Sequence, residues 1–138
     1  MQRPLALAAL ALALAATAAS AQPTPLGPPV ILDATLSGQP IRAPAGDLRV
    51  TVSRIELPVG GRLPAHKHPY ARVAHVEQGR LSVRNLDTGE TREVKAGDWV
   101  VDAIDQWHEA AVVGNEPVRL MTIDQAPPGA AVTIPRNP

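Results

Sequence analysis

Cysteine is absent from all 138 residues. An exported domain without it gains nothing from disulfides and must rely on apolar burial, aided by a metal or an oligomer interface. It also lacks a thiol nucleophile. An excess of charge is missing too: 13 Lys and Arg stand against 13 Asp and Glu. That balance removes the basic footprint of a nucleic-acid binder, so no nucleic-acid partner is expected. Outside the N-terminus no stretch approaches the roughly eighteen apolar residues that a membrane span needs. The chain has no G-x-S-x-G elbow, no phosphate-cradling glycine loop and no paired acidic motif for a helix to align. Ser53 and Ser82 have no histidine partner by spacing. No internal repeat appears, which excludes a tandem of two similar domains.

What is present begins with a short apolar run. Residues 1–21 carry one arginine, Arg3, then an Ala/Leu stretch and Ala19-Ser20-Ala21. This is the pattern of a secretory signal peptide with an A-x-A cleavage site, and it implies a periplasmic or secreted product. Cleavage there leaves about 117 residues, enough for one domain. Residues 22–30 hold Pro23, Pro25, Pro28 and Pro29, which favours an extended leader. Residues 31–138 then form the domain, with no membrane span once the signal is removed.

Within that domain, strand-like runs recur at 48–57, 63–68, 72–77, 80–86, 91–94, 99–103, 108–113 and 118–124, separated by turn residues. No long amphipathic helical pattern interrupts them, so an all-β sandwich or barrel follows. In the first run the apolar positions change parity, from Leu48, Val50 and Val52 to Ile55 and Leu57, and a bulge near Ser53-Arg54 is expected. Asn85 to Gly89 reads as a hairpin loop, with Gly89 free to take positive φ. Residues 131–134 add a short edge strand before Pro135.

Three of the four histidines suggest chemistry. His66 and His68 are two apart, so on a strand both point to one face. They make half a metal site, and His108, in a later run, is placed to supply the third imidazole. Such nitrogen ligands suit a divalent transition metal: Fe, Mn, Ni, Cu or Zn. The competing reading is a His-x-His that arises by chance on a polar face.

The surroundings of these histidines resemble the two cupin motifs. The first is glycine, five residues, His-x-His, three or four residues, glutamate, six residues, glycine; Gly60, His66, His68 and Gly79 match, and Arg72 stands at the glutamate position. The second motif matches at Gly97 and His108, with Ala103, Asp105 and Val112 in place of its proline, second glycine and asparagine. The resemblance covers about residues 49–124. It implies a double-stranded β-helix, or jelly-roll barrel, whose open end holds a metal or small ligand, and homodimerisation through edge strands.

For the site, the resemblance implies His66, His68 and His108 as metal ligands. Arg72 cannot lose its proton and so cannot be a ligand. Pointing inward, its planar fork suits a substrate carboxylate; turned aside, it pairs with Glu77, Asp102 or Glu109. Asp102 is the candidate for a fourth ligand or for a group that orients a histidine, with a solvated turn residue as the plain alternative. Tyr70 either donates to a ligand or caps the rim, Trp107 walls the site, Trp99 fills core or interface, and His75 faces away. The leading function is an exported metal-binding cupin that takes a small, anionic molecule, with dioxygenase-like chemistry. The alternative is a non-catalytic small-ligand-binding or structural module.

Overall fold

A computed structural model describes residues 25–136. Residues 1–24, on which the expected signal peptide falls, lie outside the described residues, while Pro25 to Val30 are exposed and belong to no strand. Nine strands follow: β1 Arg49–Leu57, β2 Arg62–Lys67, β3 Arg72–Gln78, β4 Arg80–Asn85, β5 Thr91–Lys95, β6 Trp99–Val101, β7 His108–Val112, β8 Val118–Ala126 and β9 Ile134–Pro135. They form two antiparallel sheets, one in the order β1-β8-β3-β6 and the other β5-β4-β7-β2-β9. No helix occurs among the described residues. The all-β architecture expected from the spacing of turn residues is the one observed.

The alternation in β8 shows how the sequence selects its faces. Val118, Leu120, Thr122, Asp124 and Ala126 are buried, and the residues between them are not. Val118 and Val76 of β3 are fully buried, each contributing about 1.5–3 kcal/mol relative to exposure. With Leu81, Val94, Ala110 and Leu120 they make the core between the sheets. The chain has no phenylalanine, so this core is built from small aliphatic side chains. A cavity of about 50 Å³ remains between the sheets.

β1 corrects one expectation. It pairs with β8 without interruption from Arg49↔Ala126 to Leu57↔Val118, and no bulge occurs at Ser53-Arg54. The change of parity has another cause: Val50 and Val52 are exposed, Val52 lying opposite Ile123 on the outer face, while Ile55 faces the cavity opposite Leu120. The apolar residues of β1 switch faces; the ladder does not shift. The irregularities lie elsewhere, in β2 between Leu63 and His66 and in β3 between Val76 and Gln78. Gly79 follows the second at φ 78°, and a Cβ there would lie 2.5 Å from the Pro117 carbonyl oxygen, so only glycine fits.

The expected hairpin loop joins β4 to β5. The Asn85 side-chain oxygen accepts from the backbone N–H groups of Asp87 and Thr88, and Gly89 takes φ 77°. The C-terminal edge strand is shorter and later than expected, Ile134–Pro135, and it pairs with β2 at Lys67 and His66. Pro135 sits on an outer edge, where its missing N–H costs no ladder bond.

A segment that the strand pattern does not mark also contributes. Ala34 bridges Pro40, Leu36 N–H donates to the Val101 carbonyl, and the Gln39 amide exchanges two hydrogen bonds with the Ile104 backbone. This segment covers β6 and fixes the loop that follows it.

Candidate metal centre

Two histidines reach the cavity because β2 carries one extra residue. Leu63 pairs with Ala110 and lines the cavity, so strict alternation would send Ala65 and Lys67 inward and both histidines out. Instead His66 pairs with His108: three steps along β2 match two along β7. The bulge at Pro64-Ala65 reverses the alternation and turns His66 and His68 into the barrel. Pro64 suits the bulge because it has no N–H to leave unpaired. Its carbonyl accepts a hydrogen bond from His66 Nδ1 at 2.7 Å.

His68 lies just past β2, where its carbonyl accepts from Asp105 N–H and its Nδ1 donates to the Val132 carbonyl at 2.8 Å. His108 opens β7 and is held by the β4–β5 turn. Leu86 N–H donates to the Trp107 carbonyl, the Asp87 carboxylate accepts from Trp107 N–H, and His108 Nδ1 donates to the Gln106 carbonyl at 2.9 Å.

A carbonyl oxygen only accepts, so each Nδ1 carries the proton and Nε2 of each ring keeps its lone pair. One ring nitrogen from each of the three lies within 4.8 Å of the other two, close enough to hold a metal ion. Burial holds all three imidazoles below the usual histidine range, His68 furthest, at about 3, where the Arg72 guanidinium adds to the burial effect. They are neutral at pH 7. Three neutral imidazoles, oriented through their second nitrogen by backbone carbonyls, fit a divalent transition metal by the chemistry of the donor set.

The opposite wall carries fixed charge. Arg72 forms a two-pronged pair with Asp124, Nε to Oδ1 at 2.7 Å and Nη2 to Oδ2 at 3.0 Å, and Nη2 also reaches Thr133 Oγ1 at 3.0 Å. Its Nη1 lies 3.4 Å from His68 Nε2. None of the three acids anticipated for it takes this role: Glu77 pairs with Arg54, and Asp102 faces His68 with Oδ2 3.5 Å from Nε2. Asp124 was the missed residue, although its phase with buried Val118, Leu120 and Thr122 in β8 is a signal readable from the sequence. Burial raises the Asp102 carboxyl to about 6, against the opposing pull of Arg72.

Of the residues singled out in sequence, His66, His68, Arg72, Asp102 and His108 line one cavity, together with Leu63, Val76 and Leu120. Tyr70 lines a different surface depression with Gln39, Pro40 and Arg42, because Pro69 carries the chain out of the barrel before β3 begins. Trp107 lies beneath Lys67 and Arg136, 5.2 and 5.5 Å from its ring centre, one residue out of phase with inward-facing His108. His75 stacks on Trp99 at 4.2 Å, away from the cavity lining.

Residues 53–124, more than half of the chain, match the cupin domain family. The chain belongs to that family. Among solved structures, this cupin is similar to a protein from Bacillus halodurans, with 24% identity over 60% of this chain and 67% of that one and a TM-score of 0.52. A Klebsiella pneumoniae protein with a double-stranded β-helix domain gives 22% identity over 68% and 88%, with a TM-score of 0.51. A recombinant oxalate oxidase in complex with glycolate gives 26% identity over 62% and 45%, with a TM-score of 0.52. The chain spans less than half of that oxidase's length. No curated protein matches the chain. The cupin fold and the three-histidine cluster together support a metal-binding cupin.

Proposed function

We propose that this chain is an exported cupin that holds a divalent transition metal on His66, His68 and His108 and takes a small carboxylate-bearing molecule beside it, with dioxygenase-like chemistry. The observation that carries the reading is the set of three Nδ1-to-carbonyl hydrogen bonds, which leaves three Nε2 lone pairs grouped in one cavity. Bound there, the metal would act as a Lewis acid toward a ligated oxygen and, if redox-active, would serve oxidation chemistry. The chain's own residues bind and orient. Arg72, already fixed by Asp124, keeps Nη1 beside His68 to donate to a carboxylate oxygen. Leu63, Val76 and Leu120 exclude water from the inner side. The glycolate complex of the similar oxalate oxidase supports a small carboxylate as ligand class. Export rests on the signal-like residues 1–21.

Elemental analysis of the anaerobically purified protein, beside His66→Ala, His68→Ala and His108→Ala, tests the metal. About one equivalent in wild type and almost none in the variants is expected. Oxygen uptake with oxalate or glycolate then tests the reaction. Failure to bind any of Fe, Mn, Ni, Cu or Zn would sink the enzyme reading. Arg72 at the motif's glutamate position favours, as second reading, a non-catalytic binding module. That module would keep its small ligand after His108→Ala. N-terminal sequencing of material from cell fractions tests export, with Gln22 expected as the first residue of the periplasmic or secreted form.

A further inference from the structure

Asp102 follows β6 in the four-stranded sheet. Its N–H donates to the Arg72 carbonyl at 3.0 Å, continuing the β3–β6 ladder in which Val73 pairs with Val101. Asp102 therefore stands directly across from Arg72 and shares its inward face. Arg72 occupies the position where the family motif has glutamate, and a carboxylate lies one strand to the side, roughly 4.8 Å away.

The surroundings of that carboxylate are unusual. Its side chain is only 17% exposed and it lines the same cavity as the three histidines. His68 Nε2 lies 3.5 Å from Oδ2. Because His68 Nδ1 donates to the Val132 carbonyl, Nε2 is an acceptor. Two acceptors thus face each other across 3.5 Å on the wall of one cavity, an arrangement that a cation or a proton between them stabilises. Arg72 forms no hydrogen bond with Asp102 among the described residues: Nε and Nη2 are committed to Asp124, and Nη1 lies 3.4 Å from His68 Nε2.

We infer that Asp102 is a fourth protein ligand of the metal centre, replacing from the adjacent strand the carboxylate that the motif position has lost to Arg72. The inference rests on the three-histidine reading above and adds one anionic oxygen donor to it. One negative ligand among three neutral ones partly compensates a divalent ion. The Arg72–Asp124 pair adds no net charge to the centre.

The test uses the full-length protein with Co(II) and Mn(II) as probes, titrated against a competing chelator, for wild type, Asp102→Asn, Asp102→Ala and His108→Ala. Asp102→Asn keeps the shape and removes the charge, and Asp102→Ala guards against an amide that itself coordinates. Both are expected to weaken metal binding at least about tenfold, within the 10–100-fold range seen for groups around metal ligands, and to shift the visible Co(II) bands. Circular dichroism of the metal-free variants should match wild type. Unchanged affinity with an unchanged Co(II) spectrum, in a protein whose His108→Ala form loses the metal, overturns the role of Asp102 alone. Weakened affinity with the wild-type spectrum also overturns it, making Asp102 a positioning residue. A wild-type protein that takes up neither ion overturns both this inference and the three-histidine reading.

Discussion

The two sheets supply the centre with opposite materials. From the five-stranded sheet come His66 and His108, with His68 just beyond β2, all neutral and all fixed by backbone carbonyls. From the four-stranded sheet come Arg72 and Asp124, with Asp102 just beyond β6, groups whose business is charge. The histidine wall depends on a break in its ladder, whereas the Arg72–Asp124 pair sits in register, Arg72↔Asp124 being direct cross-strand partners. Side chains that must converge on one point need an irregular backbone; an ion pair that must stay put is best made by the regular one.

The sharpest way to break this comparison is to repair the bulge. Deleting Ala65 would remove the extra residue and restore strict alternation, leaving His66 two and His68 four positions after inward-facing Leu63, still on the cavity side but on a strand without its bend. Metal affinity is expected to fall at least about tenfold, because the regular strand lacks the bend that brings the three rings together, with β-sheet circular dichroism retained. Unchanged affinity would show that the bulge does not position the histidines.

The charged wall breaks differently. Asp124→Asn leaves the Arg72 guanidinium, 17% exposed, without its carboxylate, and the expected loss is about 3–5 kcal/mol, read by urea unfolding. Replacing both partners, Arg72→Met with Asp124→Leu, should recover most of that loss, because an apolar pair avoids the desolvation of two charges. A double variant as unstable as the single one would mean that the pair contributes through its geometry.

Much of this architecture is legible in the sequence, and the part that is not has a common cause. Strand positions follow from turn residues and from period-two burial, as in β8. The His66-x-His68 spacing points to a shared face, and Gly60, Gly79 and Gly97 carry the family resemblance. Spacing alone does not reveal which face, since a single extra residue at Pro64-Ala65 decides it, and nothing local distinguishes that bulge from the one expected at Ser53-Arg54. Partnerships across sequence are equally hidden: Arg72 has several acids within plausible reach on paper, and only the β3–β8 register selects Asp124. Val132, which fixes the proton on His68, lies 64 residues away in a segment with no motif.

Protonation separates the walls more gently. For the metal-free protein, His68 has a folded value of about 3 against 6.5 when free. Its stabilising effect is complete above pH 6.5 and is lost as pH falls toward 3. Asp102 runs the other way, about 6 folded against 3.8 free, so its effect is complete below pH 3.8 and is lost as pH rises through 6. At about 1.4 kcal/mol per pH interval these amount to about 5 and about 3 kcal/mol. Between pH 6 and 4 the two largely offset, leaving a net loss set by His66 and His108, whose values are also lowered. Asp102→Asn removes the offset. Urea unfolding at pH 7, 5.5 and 4 should show a shallow decline for wild type and a steeper one for the variant. Parallel declines would mean that Asp102 does not titrate between the two walls.

The smallest effect is expected where the C-terminal segment touches both walls at once. Thr133 Oγ1 accepts from Arg72 Nη2 at 3.0 Å and lies 3.4 Å from His68 Nδ1, while the Val132 carbonyl is the better acceptor for that ring at 2.8 Å. Thr133→Val keeps the shape and removes one hydroxyl. The loss should be about 0.5–1.5 kcal/mol in unfolding, because Arg72 retains both bonds to Asp124. Metal affinity should change less than twofold, since the proton on His68 Nδ1 still has its carbonyl. A tenfold loss of affinity would mean that the hydroxyl, and with it the end of the chain, sets the orientation of His68 that we assign to the backbone.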